Sequence, residues 1–226
     1  MQAPSSATKP ECSVFPEPGW PEAFQQDLQN LFVWRRDERH FRSDPLPYDI
    51  VKSLVETACL APSVGNAQPW RFVDIHCDKR RARIIDIFET ENSAAARLYA
   101  DERASSYSAL KLAGLREAPV HLAVFCDEAT TTGHGLGRQS MPEMLRYSVV
   151  CAVHTLWLAA HARGVGVGWV SILDPVVVSD CLDVPTSWSL VAYLCMGWPQ
   201  AAHSLPELDR RQWQQRLSSD SFLVTR

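Results

Sequence analysis

The feature that most limits how this chain folds is a strongly apolar segment from Val149 to Ala162, interrupted only by two histidines and one threonine. It is shorter than the ~20 apolar residues that span a bilayer, so we expect no membrane span. Pro142 precedes it as a helix start, and Gly164 follows it as a helix stop. A helix that is apolar nearly all round is buried, so the sequence predicts a central helix inside the core.

Composition narrows the class of protein further. The chain has 226 residues, of which 46% are hydrophobic and 21% are charged, which predicts one large domain or two small ones and excludes disorder over most of its length. The formal net charge of -4 offers no basic surface, so we expect neither nucleic acid nor a membrane as partner. Seven cysteines without a C-x-x-C pair indicate reduced thiols, and the first twenty residues lack an apolar signal region, so we expect a cytoplasmic protein.

Short strand-like segments alternate with long helical ones. Strands are predicted at 71–77, 120–126, 165–172 and 189–196. Helices are predicted from Pro21 to near Trp34, from about Pro47, over 79–117 with a break near 91–93, and over 142–162. Because long helical pairs separate the strands, the pattern favours an α+β layered domain.

Several common enzyme motifs are absent. No G-x-x-x-x-G-K-[ST] occurs, which excludes a P-loop nucleotidase, and the glycines at 133–137 and 164–168 lack the spacing of a Rossmann dinucleotide motif. No zinc-protease or serine-hydrolase motif occurs either. His154 and His161 share a helix face, but no third ligand accompanies them, so no metal site is predicted.

The first candidate site is the segment Arg35-Arg36-Asp37-Glu38-Arg39, directly after the predicted first helix. Charge runs of this kind are most often solvated surface. The planar guanidinium of arginine also binds phosphate through two parallel hydrogen bonds, and a carboxylate among guanidiniums is positioned by them. By itself the segment leaves both interpretations open.

The second candidate site is the loop from Pro62 to Trp70, where two prolines and a glycine interrupt all helical and strand periodicity. Ser63, Asn66 and Gln68 present one hydroxyl and two amides, groups that both donate and accept hydrogen bonds. Such groups suit the edge of a planar heterocycle. The alternative is a turn whose polar side chains bind their own backbone.

The two segments in this order resemble the nitroreductase-like flavoproteins, through R-R-x-x-R-x-F from Arg35 to Phe41 and A-P-S-x-x-N-x-Q-P-W from Ala61 to Trp70. The resemblance implies a three-layer α+β fold with a central, mostly antiparallel sheet flanked by helices. It also implies a homodimer with FMN at the subunit interface. The expected organisation is an N-terminal arm over 1–20, flexible or wrapped around the partner, a single domain over 21–200, and a C-terminal tail over 201–226 extending over the dimer.

Three features resemble a branch of that family in which reduced FMN is the substrate. They are an aspartate at Asp37, the glycine-rich segment 133–138 followed by 141–144, and the segment 168–172 with Ser171. This branch implies oxygen-dependent fragmentation of reduced FMN to 5,6-dimethylbenzimidazole and erythrose 4-phosphate, for the lower ligand of cobalamin, with a separate flavin reductase as possible supplier. The alternatives are an NAD(P)H-dependent nitroreductase or flavin reductase, and a non-catalytic flavin carrier.

The resemblance also implies roles for individual residues. The flavin phosphate and ribityl chain would be held by Arg35, Arg36 and Arg39, with Arg216 as a further phosphate candidate. The isoalloxazine would contact Ser63, Asn66 and Gln68, with Gly168 and Trp169 close to its reactive edge. Asp37 is expected to handle protons and Ser171 to lie near the ribityl C1′ or relay a proton. The glycines of the loop over 130–138 are expected to make it a mobile lid that excludes water.

Overall fold

The computed structural model describes residues 19–226, so the N-terminal arm predicted over 1–20 lies almost entirely outside the described residues. The helices are α1 (Glu22–Trp34), α2 (Tyr48–Ala58), α3 (Asp78–Ala96), α4 (Asp101–Ser108), α5 (Met144–His161), α6 (Pro175–Leu182) and the short α7 (Glu207–Arg210). The strands are β1 (Trp70–Asp74), β2 (Val120–Asp127), β3 (Gly166–Val170) and β4 (Trp188–Gly197). No helix within 19–226 is both long and apolar enough to cross a membrane.

The four strands form one sheet in the order β1-β2-β4-β3, and every neighbouring pair is antiparallel. The predicted α+β fold with a central antiparallel sheet is confirmed. β2 and β4 lie in the middle, with Val120 opposite Met196. β3 lies at one edge of the sheet. Gly168 pairs with Cys195 of β4 on one side of the strand, and no named strand pairs with the other side.

Alternation along the strands builds two separate apolar layers. Leu122 and Val124 of β2 belong to the layer under α2 and α5, whereas Ala123 and Phe125 face α3 and α6. Side chains of successive strand residues point to opposite faces, so the sheet is covered on both sides. This three-layer arrangement leaves the β3 edge and the strand ends as the places where a site can form.

Helix α5 is buried along one face only. Val149, Val153 and Leu156 are fully buried, but Tyr147 and Val150 on the opposite face are 50% and 39% exposed. The expectation of a helix buried on all sides is therefore wrong for the single chain. Helix α1 carries no buried residue at all, so its apolar side chains are also left uncovered.

The helical region after β1 differs from the prediction. α3 continues through the expected break, because the polar side chains there find partners: Ser93 Oγ donates to the Glu89 carbonyl at 2.7 Å, and Asn92 Oδ1 accepts from the Tyr107 hydroxyl at 2.7 Å. Helix ends at Ser108 instead of continuing to 117. The following segment is irregular because Gly114 packs against the Phe41 ring, where an added Cβ would lie 2.4 Å from the ring.

Candidate active site

The segment after α1 lies along the free edge of β3. Asp37 forms a parallel bridge with Val167, and the Glu38 amide donates to the Val167 carbonyl at 3.0 Å. A Cβ at Gly168 would lie 2.0 Å from the Glu38 carbonyl oxygen, so only glycine allows this approach. Phe41 anchors the end of the segment, 1% exposed. The predicted charge cluster is therefore fixed backbone at the sheet edge, not a solvated run.

The Asp37 carboxylate joins the segment to β3. Its Oδ1 accepts from the backbone amide of Trp169 at 2.9 Å, and its Oδ2 accepts from the Arg39 guanidinium at 2.9 and 3.2 Å. Arg39 also donates to the backbone carbonyl of Lys111 at 3.0 Å. Both carboxylate oxygens are thus held by donors, which fixes the orientation of the group while about a third of the side chain stays exposed.

Arg35 and Arg216 are neighbouring cations, and the nearby carboxylate of Asp37 is paired with Arg39. Within residues 19–226 neither side chain makes a hydrogen bond or an ion pair with another residue. The Arg35 guanidinium lies over the Trp157 ring, 4.7 Å from its centroid. Burial lowers the pKa of Arg35, and the nearby Arg216 lowers it further, against the opposing effect of Asp37. A half-buried cation beside an exposed one fits a phosphate, which would neutralise both and accept their hydrogen bonds.

Arg36 lies near the same two arginines, and burial together with their charges lowers its pKa, but its own donors are used elsewhere. Its guanidinium donates to the backbone carbonyls of Val33, Arg35, His203 and Ser204, the third at 3.0 Å. Nearly all of its donors are therefore used to attach the chain after β4 to the end of α1. Of the three arginines predicted at the phosphate, the structure leaves Arg35 free, pairs Arg39 with Asp37, and uses Arg36 as a tether.

The amide-bearing loop is separate from this cluster in the single chain. Ser63 Oγ accepts from the Gln68 amide at 3.1 Å, and the Gln68 side chain donates to Asn66 Oδ1 at 3.3 Å. Asn66 and Gln68 both have positive φ and exposed side chains, a strained conformation for residues other than glycine. No hydrogen bond connects these three residues with segment 35–39.

The glycine-rich segment packs against that loop. A Cβ at Gly133 would lie 2.4 Å from the Gly65 carbonyl oxygen, and one at Gly137 would lie 2.7 Å from Val64 Cγ2. Arg138 donates to the Thr130 carbonyl at 2.9 Å and closes the segment on itself. At these two positions glycine allows close packing, in contrast to the expected role in mobility. Gly135 alone faces open space.

Ser171 follows β3 directly and is exposed. It lines a cavity of about 270 Å³ together with Trp169, Leu173 and the first half of β4. Trp169 lines this cavity and its backbone amide donates to Asp37, but Asp37 itself does not line the cavity. The structure therefore places three of the predicted residues, Asp37, Trp169 and Ser171, around the end of β3.

Trp157 belongs to the apolar layer beside α2 and α5, and it also lies beside Arg35. Its indole Nε1 donates to the Arg36 carbonyl at 3.1 Å. No local sequence signal could have shown this, because the contact joins residues 121 positions apart. Within 19–226 no group of three or more histidine, cysteine or acidic side chains could hold a metal ion.

The fold and this site define a class of protein. The chain belongs to the nitroreductase family, whose profile matches residues 32–198. It is 60% identical over 194 residues to a 5,6-dimethylbenzimidazole synthase from Rhodospirillum rubrum, covering 86% of this chain and 92% of the relative. It is also 44% identical over 193 residues to a 5,6-dimethylbenzimidazole synthase from Rhodobacter capsulatus, covering 85% and 93%.

A solved structure with the same fold contains a flavin. Iodotyrosine deiodinase bound to FMN and 3-iodo-L-tyrosine matches with a TM-score of 0.66 and 25% identity, over 78% of this chain and 91% of that one. A nitroreductase-like protein from Streptococcus mutans matches with a TM-score of 0.66 over 89% and 98%. At 19% identity this second match shows the fold alone.

Proposed function

We propose that this protein is a 5,6-dimethylbenzimidazole synthase, which fragments reduced FMN with dioxygen to 5,6-dimethylbenzimidazole and erythrose 4-phosphate for the lower ligand of cobalamin. The relatives at 60% and 44% identity support the reaction. The observation in the structure that carries the proposal is Asp37, whose two oxygens are held by Trp169 and Arg39 at the edge of β3. A carboxylate held in this position can accept a proton, whereas the arginines around it can only donate hydrogen bonds.

The chain's own residues divide the work. Arg35 and Arg216 bind the phosphate, because they are the cations in the cluster without a partner. Asp37 accepts and returns protons at the flavin, with Arg39 keeping it in place. Ser171 orients the ribityl C1′ or relays a proton from its exposed position after β3. Bound reduced FMN itself supplies the chemistry with dioxygen, which amino-acid side chains lack.

We propose that the working unit is a homodimer. Trp34 on α1 is 45% exposed, and Tyr147 and Val150 on α5 are uncovered, although apolar side chains of this size are normally buried. A second copy would cover them. It would also bring a partner's amide loop, with its Ser63, Asn66 and Gln68, towards the Asp37 cluster, from which the loop is separate in one chain.

The dimer is tested by light scattering coupled to size-exclusion chromatography. Val150→Asp on the outer face of α5 should give a monomer that no longer forms product. Val176→Asp is the matched control, because Val176 is exposed on α6, on the opposite side of the sheet. A dimeric Val150→Asp protein, or a wild-type monomer with full activity, would contradict the proposal.

Two further parts of the proposal concern the surroundings of the reaction. The segment 130–138 would close over bound flavin and exclude water. Slower proteolysis of this segment in the presence of flavin than in its absence would support this. A separate flavin reductase would supply reduced FMN, and we propose a cytoplasmic location where such a supply exists.

The reaction itself is tested by mixing the protein with chemically reduced FMN in air and separating the products by chromatography. Loss of flavin with formation of a benzimidazole is expected, and no loss is expected without dioxygen. Full recovery of FMN with hydrogen peroxide as the only product would overturn the proposal. NAD(P)H oxidation by the flavin-loaded protein would then indicate a nitroreductase or flavin reductase, and its absence a flavin carrier.

A further inference from the structure

We infer that Trp157 is a positioning residue for the flavin phosphate, acting through Arg35 and not by touching the flavin. The inference rests on the proposed function, since it takes FMN as the ligand of Arg35 and Arg216. It assigns the indole a task beyond filling the core. The argument starts from the two contacts that the indole makes with the segment after α1.

The first contact is between the ring face and a cation. Arg35 lies 4.7 Å above the Trp157 centroid and has no hydrogen-bond acceptor within the described chain. The face of Trp157 therefore limits the plane and direction of this guanidinium, on which the charges of Asp37 and Arg216 also act. Attraction between a guanidinium and the face of an indole is the strongest of the cation–aromatic contacts, and it strengthens where water is partly excluded.

The second contact fixes the backbone under the same arginine. The Trp157 indole donates to the carbonyl of Arg36 at 3.1 Å, so the peptide between Arg36 and Asp37, one residue after Arg35, cannot rotate freely. The indole is only 9% exposed and sits on α5, one of the main core helices. One indole on helix α5 thus holds both the side chain of Arg35 and the backbone of the next residue.

Pre-organisation of this kind matters for one part of the ligand. A guanidinium binds phosphate through two parallel hydrogen bonds, which require one orientation of its plane. If this orientation is not set before binding, binding must fix it and lose side-chain entropy. The isoalloxazine is recognised elsewhere in the proposed site. Loss of the Trp157 ring should therefore weaken FMN binding and leave riboflavin binding, which lacks the phosphate, unchanged.

The experiment measures the Kd of oxidised FMN and of riboflavin by fluorescence quenching. For Trp157→Leu we expect FMN to bind about 10-fold more weakly, the scale of a partly desolvated cation–aromatic contact, and riboflavin to change by less than about 2-fold. Trp157→Phe keeps a ring face and loses the indole donor, so we expect an intermediate loss for FMN. This conservative variant also keeps the test valid if Trp157→Leu folds poorly.

Two comparisons make the test specific. Trp188→Leu is the matched control. The Arg71 guanidinium lies 5.9 Å from the centroid of the Trp188 ring, and this pair is away from the phosphate cluster, so the variant should bind both flavins normally. Arg35→Ala should remove most of the preference for FMN over riboflavin, and adding Trp157→Leu to it should cause little further loss. Full additivity of the two substitutions would overturn the inference.

The remaining outcomes separate this inference from the proposed function. Equal loss of FMN and riboflavin in Trp157→Leu would show a merely structural role and overturn the inference. A wild-type protein that binds FMN no better than riboflavin would overturn it as well, because no phosphate site would exist. If the FMN preference depends on Trp157 but reduced FMN in air gives no benzimidazole, the proposed reaction fails while the positioning role stands.

Discussion

Two polar clusters in this protein differ in how completely their groups are paired. In the core, His121 on β2 and Tyr193 on β4 are 1% and 0% exposed, and 2.9 Å separates His121 Nδ1 from the Tyr193 hydroxyl. At the edge of β3, Asp37 and Arg39 are paired, but Arg35 and Arg216 have no partner within residues 19–226. The first cluster is complete without a ligand, whereas the second is complete only with an anion.

The difference shows that the extent of burial decides whether a polar group stabilises the folded chain or is available to bind a ligand. Full burial lowers the pKa of His121 to about 4 and raises that of Tyr193, so both groups stay neutral and the pair stabilises the folded chain. Partial burial lowers the pKa of Arg35 through desolvation, but an arginine remains a cation. A half-buried arginine without a hydrogen-bond or ion-pair partner favours phosphate binding, because the phosphate would compensate its charge.

The largest expected effect comes from breaking the site cluster at its carboxylate. Asp37→Asn keeps an acceptor for the Trp169 amide but removes the proton acceptor, so product formation should fall by ~10²- to 10⁴-fold while FMN still binds. Product chromatography and flavin binding measure the two effects. Asp127→Asn is the matched control, since Asp127 pairs with Arg71 away from the cluster. Unimpaired product formation by Asp37→Asn would remove the role proposed for Asp37.

The core cluster should respond to pH instead of to flavin. The unfolded chain binds a proton at His121 near pH 6.5, whereas the folded chain binds it only at about 4. Stability from this group is therefore fully present above about pH 6.5 and is lost as the pH falls towards 4, by about 3 kcal/mol in total.

Urea unfolding of wild type and His121→Gln between pH 4.5 and 7 checks this prediction. The variant should be less stable at pH 7 and should show a shallower loss of stability on acidification, because it no longer takes up this proton. Carboxylates contribute equally to both proteins, so the difference between their pH profiles isolates His121. Parallel profiles would show that His121 does not titrate as expected.

Gly168→Ala tests whether the site depends on backbone contact. The added methyl would lie 2.0 Å from the Glu38 carbonyl oxygen, so the segment after α1 must move away from β3. We expect about 1–3 kcal/mol of lost stability, together with lost product formation because Asp37 leaves the Trp169 amide. Thermal unfolding and the product assay measure both. Gly19→Ala, where nothing lies within 4 Å, should change neither.

The smallest effect is expected where neither cluster is involved. Asp174 caps α6, its Oδ1 accepting from the amides of Val176 and Val177 at 2.8 and 3.1 Å. Asp174→Ala should cost about 1 kcal/mol of stability and leave flavin binding unchanged. Thermal unfolding with a flavin titration checks this. A change in FMN affinity would show that α6 and the cavity beside Ser171 are coupled.

Local sequence signals predicted most of the elements of the fold. All four strands were predicted. Alternation of apolar and polar side chains indicated β1, whereas the other three are mostly apolar because both faces of the sheet are covered. Asp174 and Pro175 begin helix α6, with the Asp174 side chain as its cap. Predictions failed where contacts outside the local pattern decide. α3 continues through Asn92, whose side chain accepts from the Tyr107 hydroxyl 15 residues away, and α5 exposes Val150 because nothing in the described part of one chain covers it.

The sequence by itself determined the family, the segments that carry the candidate site, and the residue types available for phosphate and proton chemistry. The sequence did not distinguish the roles of Arg35, Arg36 and Arg39, because all three are arginines in one short segment. Only the tertiary structure separated them. Arg36 donates to backbone carbonyls after β4, Arg39 donates to a carbonyl 72 residues away, and Arg35 lies over an indole on α5. The physical reason is that a guanidinium binds whichever acceptor or ring the fold brings within reach, and that distance is set by packing and not by position along the chain.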